Sequence, residues 1–409
     1  MRPARAPLSA NVWAVTTTSF LTDISSEMIV NLLPLYLFGV LGVRTTLVGL
    51  IEGVAESTSS LMKLLSGRLS DRLHARKGLA LLGYGLSTAA KPFLIIASSW
   101  SWVLGVRFAD RLGKGVRTAP RDALLADSVS PARRGLAFGL HRAGDTAGAV
   151  VGLAAASGVL HLMNRDGSGL TRSAFQAVVL ISLVPAVLAI VVLALGARDV
   201  PASLAAESGL RLRSAGMDRR FRLFLFSVVF FTLGNSSDAF LILRTQTLGA
   251  NVPQILSIMI LFNLVYALAS VPAGELSDRV DRRLVLTAGW GLYALVYMGF
   301  SLADAAWQAW GLMAAYGLYY GLTEGVAKAF VADLVPSDRR GAAYGLFHAA
   351  VGLAAFPASL LAGVLWQGVA GWAGFGPRAP FLVGALFALA AAALLWRAPM
   401  SQGTQNDSP

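Results

Sequence analysis

The stretch SGRLSDRLHARKGL at 66–79 recurs as AGELSDRVDRRLVL at 273–286. A second stretch, ADSVSPARRGLAFGL at 126–140, recurs as ADLVPSDRRGAAYGL at 332–346. Both recurrences lie about half a chain apart, and each stretch lies next to long apolar segments. The spacing therefore predicts a chain built from two halves of common ancestry, related as parallel repeats, with a binding site between them near the middle of a bilayer.

The segments around these stretches are long and apolar. Of the 409 residues, 56% are hydrophobic and 14% are charged, whereas a soluble domain carries about 25% charged residues. Twelve spans of about 20 residues would use roughly 240 residues and leave room for short loops and one linker. The composition excludes an ordinary soluble enzyme. It predicts an all-α membrane protein with twelve transmembrane helices in two pseudo-symmetric six-helix bundles.

The longest polar stretch divides the chain near its middle. We expect an N-terminal six-helix bundle at 1–196, a cytoplasmic linker at 197–220, a C-terminal six-helix bundle at 221–400 and a cytoplasmic tail at 401–409. The linker contains Pro201, several serines and glycines, and five arginines, which is typical of a solvated connection.

Lysines and arginines gather in alternate loops. One set of loops and ends contains Arg2, Arg5, Arg68, Arg72, Arg76, Lys77, Arg133, Arg134, the linker arginines, Arg279, Arg282, Arg283, Arg339, Arg340 and Arg397, and the other has little beyond Arg44, Arg165, Arg172 and Arg378. Since basic loops stay in the cytoplasm, both termini are predicted to be cytoplasmic in a multi-pass protein of the cytoplasmic (inner) membrane. This topology also explains the net charge of +12 without a nucleic-acid partner.

The loop from Gly67 to Lys77 is similar to the G-x-x-x-D-R-x-G-R-R signature of the major facilitator superfamily, and its copy at 274–283 occupies the matching loop. His74 and Asp281 replace the glycine of the signature, and Ala75 replaces a basic residue, so Arg76 or Lys77 has to supply that contact if it exists. The resemblance implies a monomeric transporter of a small-molecule substrate in the lipid bilayer, with no cofactor. The proton is the default coupling ion, because no sodium-site pattern is evident.

The resemblance also implies a cytoplasmic gate. An aspartate at this position is placed to face a helix N-terminus of the other half, where backbone N–H groups favour an anion. The alternative is that these charges only set topology and cap helix ends. The expected gating residues are Gly67, Asp71, Arg72 and Asp127 in the first half, and Gly274, Asp278, Arg279 and Asp333 in the second.

The fourth span, quoted from 106 to 129 as VRFADRLGKGVRTAPRDALLADSV, is the most charged segment. Six of its charged residues fall within roughly a 120° arc of the helix: Arg107, Asp110, Arg111, Lys114, Arg117 and Arg121. Each charge at the centre of a bilayer costs about 2.5 to 3.5 kcal/mol on the insertion scale, so this face must meet water, a ligand or carboxylates. The substrate cavity is expected to include Arg111, Lys114, Arg117, Arg142, Asp145, Asp238, Glu324 and Lys328.

The opposing carboxylates allow two interpretations. They can form interhelical ion pairs that hold the first half together, or a few can stay unpaired and carry a proton. Asp23 and Glu27 are the best proton carriers, and Glu27 is matched in the second half by Asp238. Arg107 joins them because it matches a fourth-span arginine that the resemblance associates with proton coupling. Glu324 and Lys328 are four residues apart and most simply pair with each other.

These expectations favour a secondary active transporter that exports a small organic solute by alternating access, coupled to protons. Proton-coupled uptake of an anionic metabolite is the alternative, and a non-transporting membrane scaffold or sensor is a remote one. Export rests on Gly144, Gly148 and Gly152, whose spacing resembles an exporter-associated motif, although Ala149 stands where that motif has proline. An enzyme is not expected, because no Cys, paired His ligands or recognisable nucleophile is evident.

Overall fold

The computed structural model describes residues 8–73, 75–130, 134–163, 169–199, 218–335 and 340–397. Within these ranges the chain is helical and contains no strand. Twelve long helical spans follow one another: span 1 Ala10–Val40, span 2 Thr45–Leu73, span 3 Arg76–Ala90 continued by a 3-10 turn at Lys91–Leu94, span 4 Trp100–Asp127, span 5 Arg134–Met163, span 6 Arg172–Gly196, span 7 Arg219–Thr247, span 8 Val252–Arg279, span 9 Arg282–Leu302, span 10 Ala306–Leu334, span 11 Arg340–Gln367 and span 12 Ala379–Arg397.

Spans 1 and 7 are each interrupted at an equivalent place. Span 1 consists of an α-helix Ala10–Val30, a short helix Leu33–Leu35 and a π-helical turn Tyr36–Val40. Span 7 consists of helices Arg219–Gly234 and Ala239–Thr247. Because spans 1 and 7 hold the same position in the two halves, the paired breaks support the repeat inferred from the sequence.

Eight of the twelve spans are long and apolar enough to cross a membrane on length and composition alone. Spans 2, 3, 4 and 10 fall short of that standard. Spans 2 and 4 carry buried charges, since Glu52, Arg107 and Arg111 each expose 6% or less of their surface. Their charges face the protein, so hydropathy undercounts the spans that line the interior.

The spans form two bundles of six, which confirms the predicted fold. In the first bundle span 1 packs against spans 5 and 6, and span 4 packs against spans 2 and 3. In the second, span 10 packs against spans 8 and 9, and span 12 against spans 7 and 9. The larger contacts between the bundles join span 2 to span 11 and span 5 to span 8. A shift of six spans exchanges these two contacts, as a pseudo-twofold axis requires.

The glycine repeat of span 5 lets this helix pack closely against span 1. A Cβ at Gly148 would lie 2.5 Å from the carbonyl oxygen of Phe20, and one at Gly152 would lie 2.5 Å from that of Ile24. The four-residue spacing therefore allows close helix packing inside the first bundle.

Most of the predicted linker, at 200–217, and the predicted tail at 401–409 lie outside the described residues, so the division into domains stays a prediction. We call the end of the molecule with the repeated loops, which follow spans 2, 4, 8 and 10, the basic end. The two ends of the described chain also lie there, because the number of spans is even. The other end is called the opposite end.

The bundles are closed against each other at the opposite end. There the Thr45 N–H donates to Oε1 of Gln367 at 2.7 Å, and the Thr46 hydroxyl donates to the carbonyl of Gly368 at 2.7 Å. One apolar core cluster combines Tyr36 of span 1 with Phe240 of span 7.

At the basic end the first bundle has an apolar cluster of its own. It contains Val12, Ala80, Leu124 and Leu193, all from spans of that bundle. The described structure therefore joins the bundles at the opposite end and separates their cores at the basic end.

Substitution of Gly49 tests this closure. A Cβ at Gly49 would lie 2.2 Å from the carbonyl oxygen of Ser359, so Gly49→Val should push spans 2 and 11 apart at the opposite end. The chain contains no cysteine, so a single Thr146→Cys beside the cavity described below reports access cleanly. We expect an impermeant thiol reagent to label it from the basic end only in the parent, and from both ends once Gly49→Val is added.

The matched control is Gly105→Val, because a Cβ there would meet nothing within 4 Å. One-sided labelling of the Gly49→Val protein, equal to that of the control, would contradict the assignment of the closed end.

Candidate functional site

A cavity of about 690 Å³ lies between the two bundles and extends toward the basic end. It is lined by Ser19, Thr22, Asp23, Glu27, Lys63, Leu64, Tyr84, Lys114, Arg117, Thr118, Ala119, Arg121, Asp122, Phe138, His141, Arg142, Asp145, Thr146, Ala149, Asn263, Tyr266, Glu324, Lys328 and His348. Among these, only Leu64, Ala119, Phe138 and Ala149 lack a polar side chain. The lining suits a hydrophilic ligand, and the volume lies in the range of about 300 to 1,000 Å³ that ligand pockets have.

Two arginines of span 4 are neutralised inside the first bundle. Nη2 of Arg107 lies 2.9 Å from Oε2 of Glu52, and Nη1 of Arg111 lies 3.1 Å from Oε1 of Glu56. Asp110 is within 4.0 Å of both guanidinium groups. Neither Arg107 nor Arg111 belongs to the cavity lining, and their geometry is that of interhelical ion pairs between spans 2 and 4.

Toward the basic end three cations do reach the cavity: Lys114 and Arg117 on the same face of span 4, and Lys63 on span 2. Lys63 and Lys114 have no carboxylate within 4.0 Å among the described residues, and neither has Arg117. Arg117 donates to the Ser87 hydroxyl at 2.8 Å and stacks over the Tyr84 ring, 4.6 Å from its centroid. We call Lys63, Lys114 and Arg117 the cationic trio.

Asp23 faces this trio from span 1. In the part of the chain that the structure describes, its carboxylate has neither an ion pair within 4.0 Å nor a hydrogen bond. The charges of Lys114, Arg117, Glu27 and Asp145 act on it from spans 4, 1 and 5. Asp23 is thus a cavity carboxylate without a fixed counter-ion.

Glu27 and Asp145 have partial partners. Nδ2 of Asn31 donates to Oε2 of Glu27 at 2.8 Å, and Nδ1 of His141 lies 3.2 Å from Oδ1 of Asp145. Both carboxylates line the cavity. Compared with them, Asp23 is the more weakly held group.

One charged contact crosses the cavity from bundle to bundle. Nη2 of Arg142 on span 5 lies 3.1 Å from Oε2 of Glu324 on span 10, and the hydroxyl of Tyr266 on span 8 contacts both side chains. Nζ of Lys328 lies 3.1 Å from Oε1 of Glu324, as the spacing of four predicts. The sequence does not point to Tyr266, because a search for charged residues overlooks an uncharged side chain that hydrogen-bonds to them.

Asp238 lies outside the cavity lining. It follows the break in span 7, and its Oδ1 accepts a hydrogen bond from the Tyr316 hydroxyl at 2.8 Å. Tyr316 in turn packs in an aromatic group with Tyr293, Tyr319 and Tyr320. Of the eight residues predicted to line the substrate cavity, the structure brings together Lys114, Arg117, Arg142, Asp145, Glu324 and Lys328, and leaves out Arg111 and Asp238.

The repeated loops make equivalent contacts in each half. Arg282 lies 2.7 Å from Asp278 and 2.6 Å from Asp333, and Arg76 pairs with Asp127 in the matching place of the first half. Arg76 thus supplies a basic contact where Ala75 cannot. These contacts stay within one bundle and do not bridge the two.

The other predicted gating residues differ between the halves. A Cβ at Gly67 would lie 3.5 Å from Cβ of Ala119, so span 2 runs close to span 4 there, whereas one at Gly274 would meet nothing within 4 Å. Among the described residues, the expected close approach is absent at Gly274. Arg279 is exposed, and the side chains of Asp71 and Arg72 lie outside the described residues.

Comparisons with known proteins decide the family. The family model described as Major Facilitator Superfamily matches residues 15–243 and 223–409. The chain belongs to the major facilitator superfamily. This confirms the resemblance, and it makes the protein a multi-pass membrane protein of a transporter family.

Two further proteins are similar to most of this chain. A protein of Methanocaldococcus jannaschii, described as an uncharacterized MFS-type transporter, is 36% identical over 394 residues, which is 95% of this chain and 94% of that protein. An uncharacterized protein of Mycobacterium bovis is 27% identical over 338 residues, 80% of each chain.

Solved structures of the superfamily share the fold. A mutant of the nucleoside transporter NupG has a TM-score of 0.79 at 13% identity, covering 94% of this chain and 99% of its own. A bacterial homologue of the human lysosomal transporter Spinster, in an inward-facing and occupied conformation, has a TM-score of 0.75 at 16% identity, covering 94% and 95%. At these identities the likeness shows the fold alone.

The buried ion pair between Glu52 and Arg107 leads to a prediction about the stability of this superfamily member. Glu52→Gln leaves a buried guanidinium without its main counter-charge, so the free energy of unfolding should fall by about 3 kcal/mol. The double variant Glu52→Gln/Arg107→Gln should recover part of that loss, because both charges are gone. Unfolding in mixed micelles by titration with sodium dodecyl sulfate measures both.

The control is Glu275→Gln, an exposed position on span 8 where a change of less than about 0.5 kcal/mol is expected. The single variant Arg107→Gln completes the set. If the double variant lost as much stability as Glu52→Gln and Arg107→Gln added together, Glu52 and Arg107 would not be acting as a pair.

Proposed function

We propose that the protein is a proton-coupled secondary active transporter that moves a small organic solute across the cytoplasmic (inner) membrane, with Asp23 as the proton site. The observation that carries the proposal is the lack of a fixed counter-ion for Asp23, in a carboxylate-lined cavity between two bundles. A carboxylate inside the bilayer is costly unless it is paired or protonated. A proton is the one cation that can neutralise Asp23 without occupying the space of a solute.

Alternating access follows from the two bundle contacts. The described conformation is joined at the opposite end and open toward the basic end. By the positive-inside rule the basic end faces the cytoplasm, with both termini on that side. Transport would then break the contacts of Thr45 and Thr46 and close the basic end, where Asp71 is the proposed gating carboxylate. The whole cavity is built by one chain, so a monomer suffices.

The other proposed coupling residues act around Asp23. Glu27 lies one turn further along span 1 and is the second proton candidate, weakened by its hydrogen bond from Asn31. Arg107 is held by Glu52 and is proposed to position spans 2 and 4 rather than to exchange a proton.

Two directions of transport each have one supporting observation. Export rests on the glycine repeat of span 5, which concerns helix packing and fits either direction. Uptake of an anionic metabolite rests on the cationic trio, which faces the solute itself. We therefore favour uptake and keep export as the second candidate.

Flux in proteoliposomes tests the proton coupling. The protein is reconstituted with an internal pH dye, and solutes from a panel of organic anions, cations and neutral compounds are added outside. We expect one class of solute to drive proton movement in the wild type, and Asp23→Asn to reduce that proton flux by at least about tenfold. Five other charged groups also act on the Asp23 carboxylate: Glu27, Asp145, Lys114, Arg117 and Lys91.

The matched control is Asp304→Asn, an exposed loop position at the opposite end, which should keep wild-type flux. Solute counterflow in the Asp23→Asn protein separates loss of coupling from loss of transport. Undiminished proton flux in Asp23→Asn would overturn the assignment of the proton site.

A further inference from the structure

The charges around the cavity are divided into paired and unpaired sets. Arg121 lies 2.8 Å from Asp122, and Arg142 and Lys328 share Glu324, each at 3.1 Å. The cationic trio of Lys63, Lys114 and Arg117 has no such partner in the described residues. Three cations that face one cavity, none of them within 4.0 Å of a carboxylate among the described residues, form a candidate anion site.

Helix packing brings the trio to one place. Gly115 of span 4 lies against span 2, where an added Cβ would be 2.4 Å from Cβ of Met62, and the Ser66 hydroxyl donates to the carbonyl of Gly115 at 2.8 Å. The neighbours of this contact are Lys63 and Lys114, so their side chains project at the same level of the cavity. The charge of Arg111 acts on Lys114, and so do those of Glu56, Lys63 and Arg117.

We propose that the transported solute is a hydrophilic organic anion whose carboxylate or phosphate group binds between Lys63, Lys114 and Arg117. The inference rests on the proposed function, because it takes the cavity as the transport site. Ammonium and guanidinium donors form short, charge-assisted hydrogen bonds to such groups. Arg117 offers a planar donor edge, held in place by Ser87 and the Tyr84 ring, and the two lysines act as point charges.

The other residues that line the cavity indicate the chemistry of the rest of the solute. Asn263 and Tyr266 line the same cavity from the second bundle, and Ser19, Thr22 and Thr146 bring hydroxyl groups to it. A lipophilic solute would find few apolar side chains here. A small polyhydroxylated or amidated anion would find hydrogen-bond partners on both bundles, and so would contact both halves as they close.

Because Asp23 lies beside the cationic trio, binding of the anion is coupled to binding of the proton. A protonated Asp23 no longer repels an anion held by Lys114 and Arg117, so the two ligands favour each other's binding. A cationic solute would instead compete with the proton for Asp23. An anionic solute therefore makes the transporter a symporter.

Binding to the detergent-solubilised wild-type protein tests the inference without a membrane gradient. The probes are inorganic phosphate, sulfate, lactate, succinate and glycerol 3-phosphate, with tetraphenylphosphonium and sucrose for comparison, all at constant ionic strength. At least one organic anion should raise the melting temperature. Stabilisation by tetraphenylphosphonium alone, or by none of the anions, overturns the proposal.

Variants then assign the site. Lys63→Gln and Lys114→Gln should each weaken binding of the stabilising anion by at least about tenfold, whereas Lys114→Arg should restore much of it. Arg222→Gln, an exposed position at the start of span 7, removes one positive charge outside the cavity and should bind like the wild type. Equal anion affinity in Lys63→Gln, Lys114→Gln and the wild type would contradict the site. A melting temperature close to that of the wild type without ligand shows that each variant is folded.

Asp23→Asn separates this inference from the proposed function. It should still bind the anion, since the trio is intact, and loss of anion binding in Asp23→Asn would contradict the site. If the anion binds as expected but drives no proton flux in liposomes, the substrate class stands and the proton coupling fails. If proton flux is driven by a cation or a neutral solute, the coupling stands and the anionic substrate class fails.

Discussion

A charge inside a bilayer has to be paired or to meet water, and this constraint organises the first bundle of the protein. Spans 2 and 4 satisfy it with ion pairs near the opposite end, where Glu52 and Glu56 neutralise Arg107 and Arg111. One to two turns further along span 4, no acid of span 2 among the described side chains lies within 4.0 Å of Lys114 or Arg117. The remaining cations of that helix face, Lys114, Arg117 and Arg121, line the cavity, and among the described residues only Arg121 has a carboxylate partner, Asp122. The ion pairs near the opposite end therefore belong to the scaffold, whereas Lys114 and Arg117 belong to the site.

The two halves share one fold but contribute different groups to the cavity. Arg76 with Asp127 and Arg282 with Asp333 brace equivalent loops at the basic end, and the contacts of spans 2 with 11 and 5 with 8 are exchanged by the pseudo-twofold axis. The first half supplies most of the cavity charge, whereas the second supplies Tyr266 and Glu324 across the cavity. Symmetry thus provides two ways for the bundles to close, and asymmetry provides a site that distinguishes its ligand.

The sequence predicts the fold well, because a repeat and alternating basic loops do not depend on tertiary contacts. The sequence predicts the residues of the functional site less completely. Helical angles put Arg107, Arg111, Lys114 and Arg117 on one face, yet only the depth and register of span 2 decide which of them meet an acid. The two bundles also bring Tyr266 to Arg142, positions 124 residues apart, and no local pattern records such a contact.

The central claim is that a proton and an anion occupy one cavity together. Calorimetry of anion binding to the wild-type protein, over a series of pH values and in buffers of different ionisation enthalpy, counts the protons taken up with each anion. The account predicts an uptake of about one proton per anion bound, which disappears when the same titration is made with the Asp23→Asn protein. Proton release on anion binding, or uptake that is unchanged in Asp23→Asn, would contradict it.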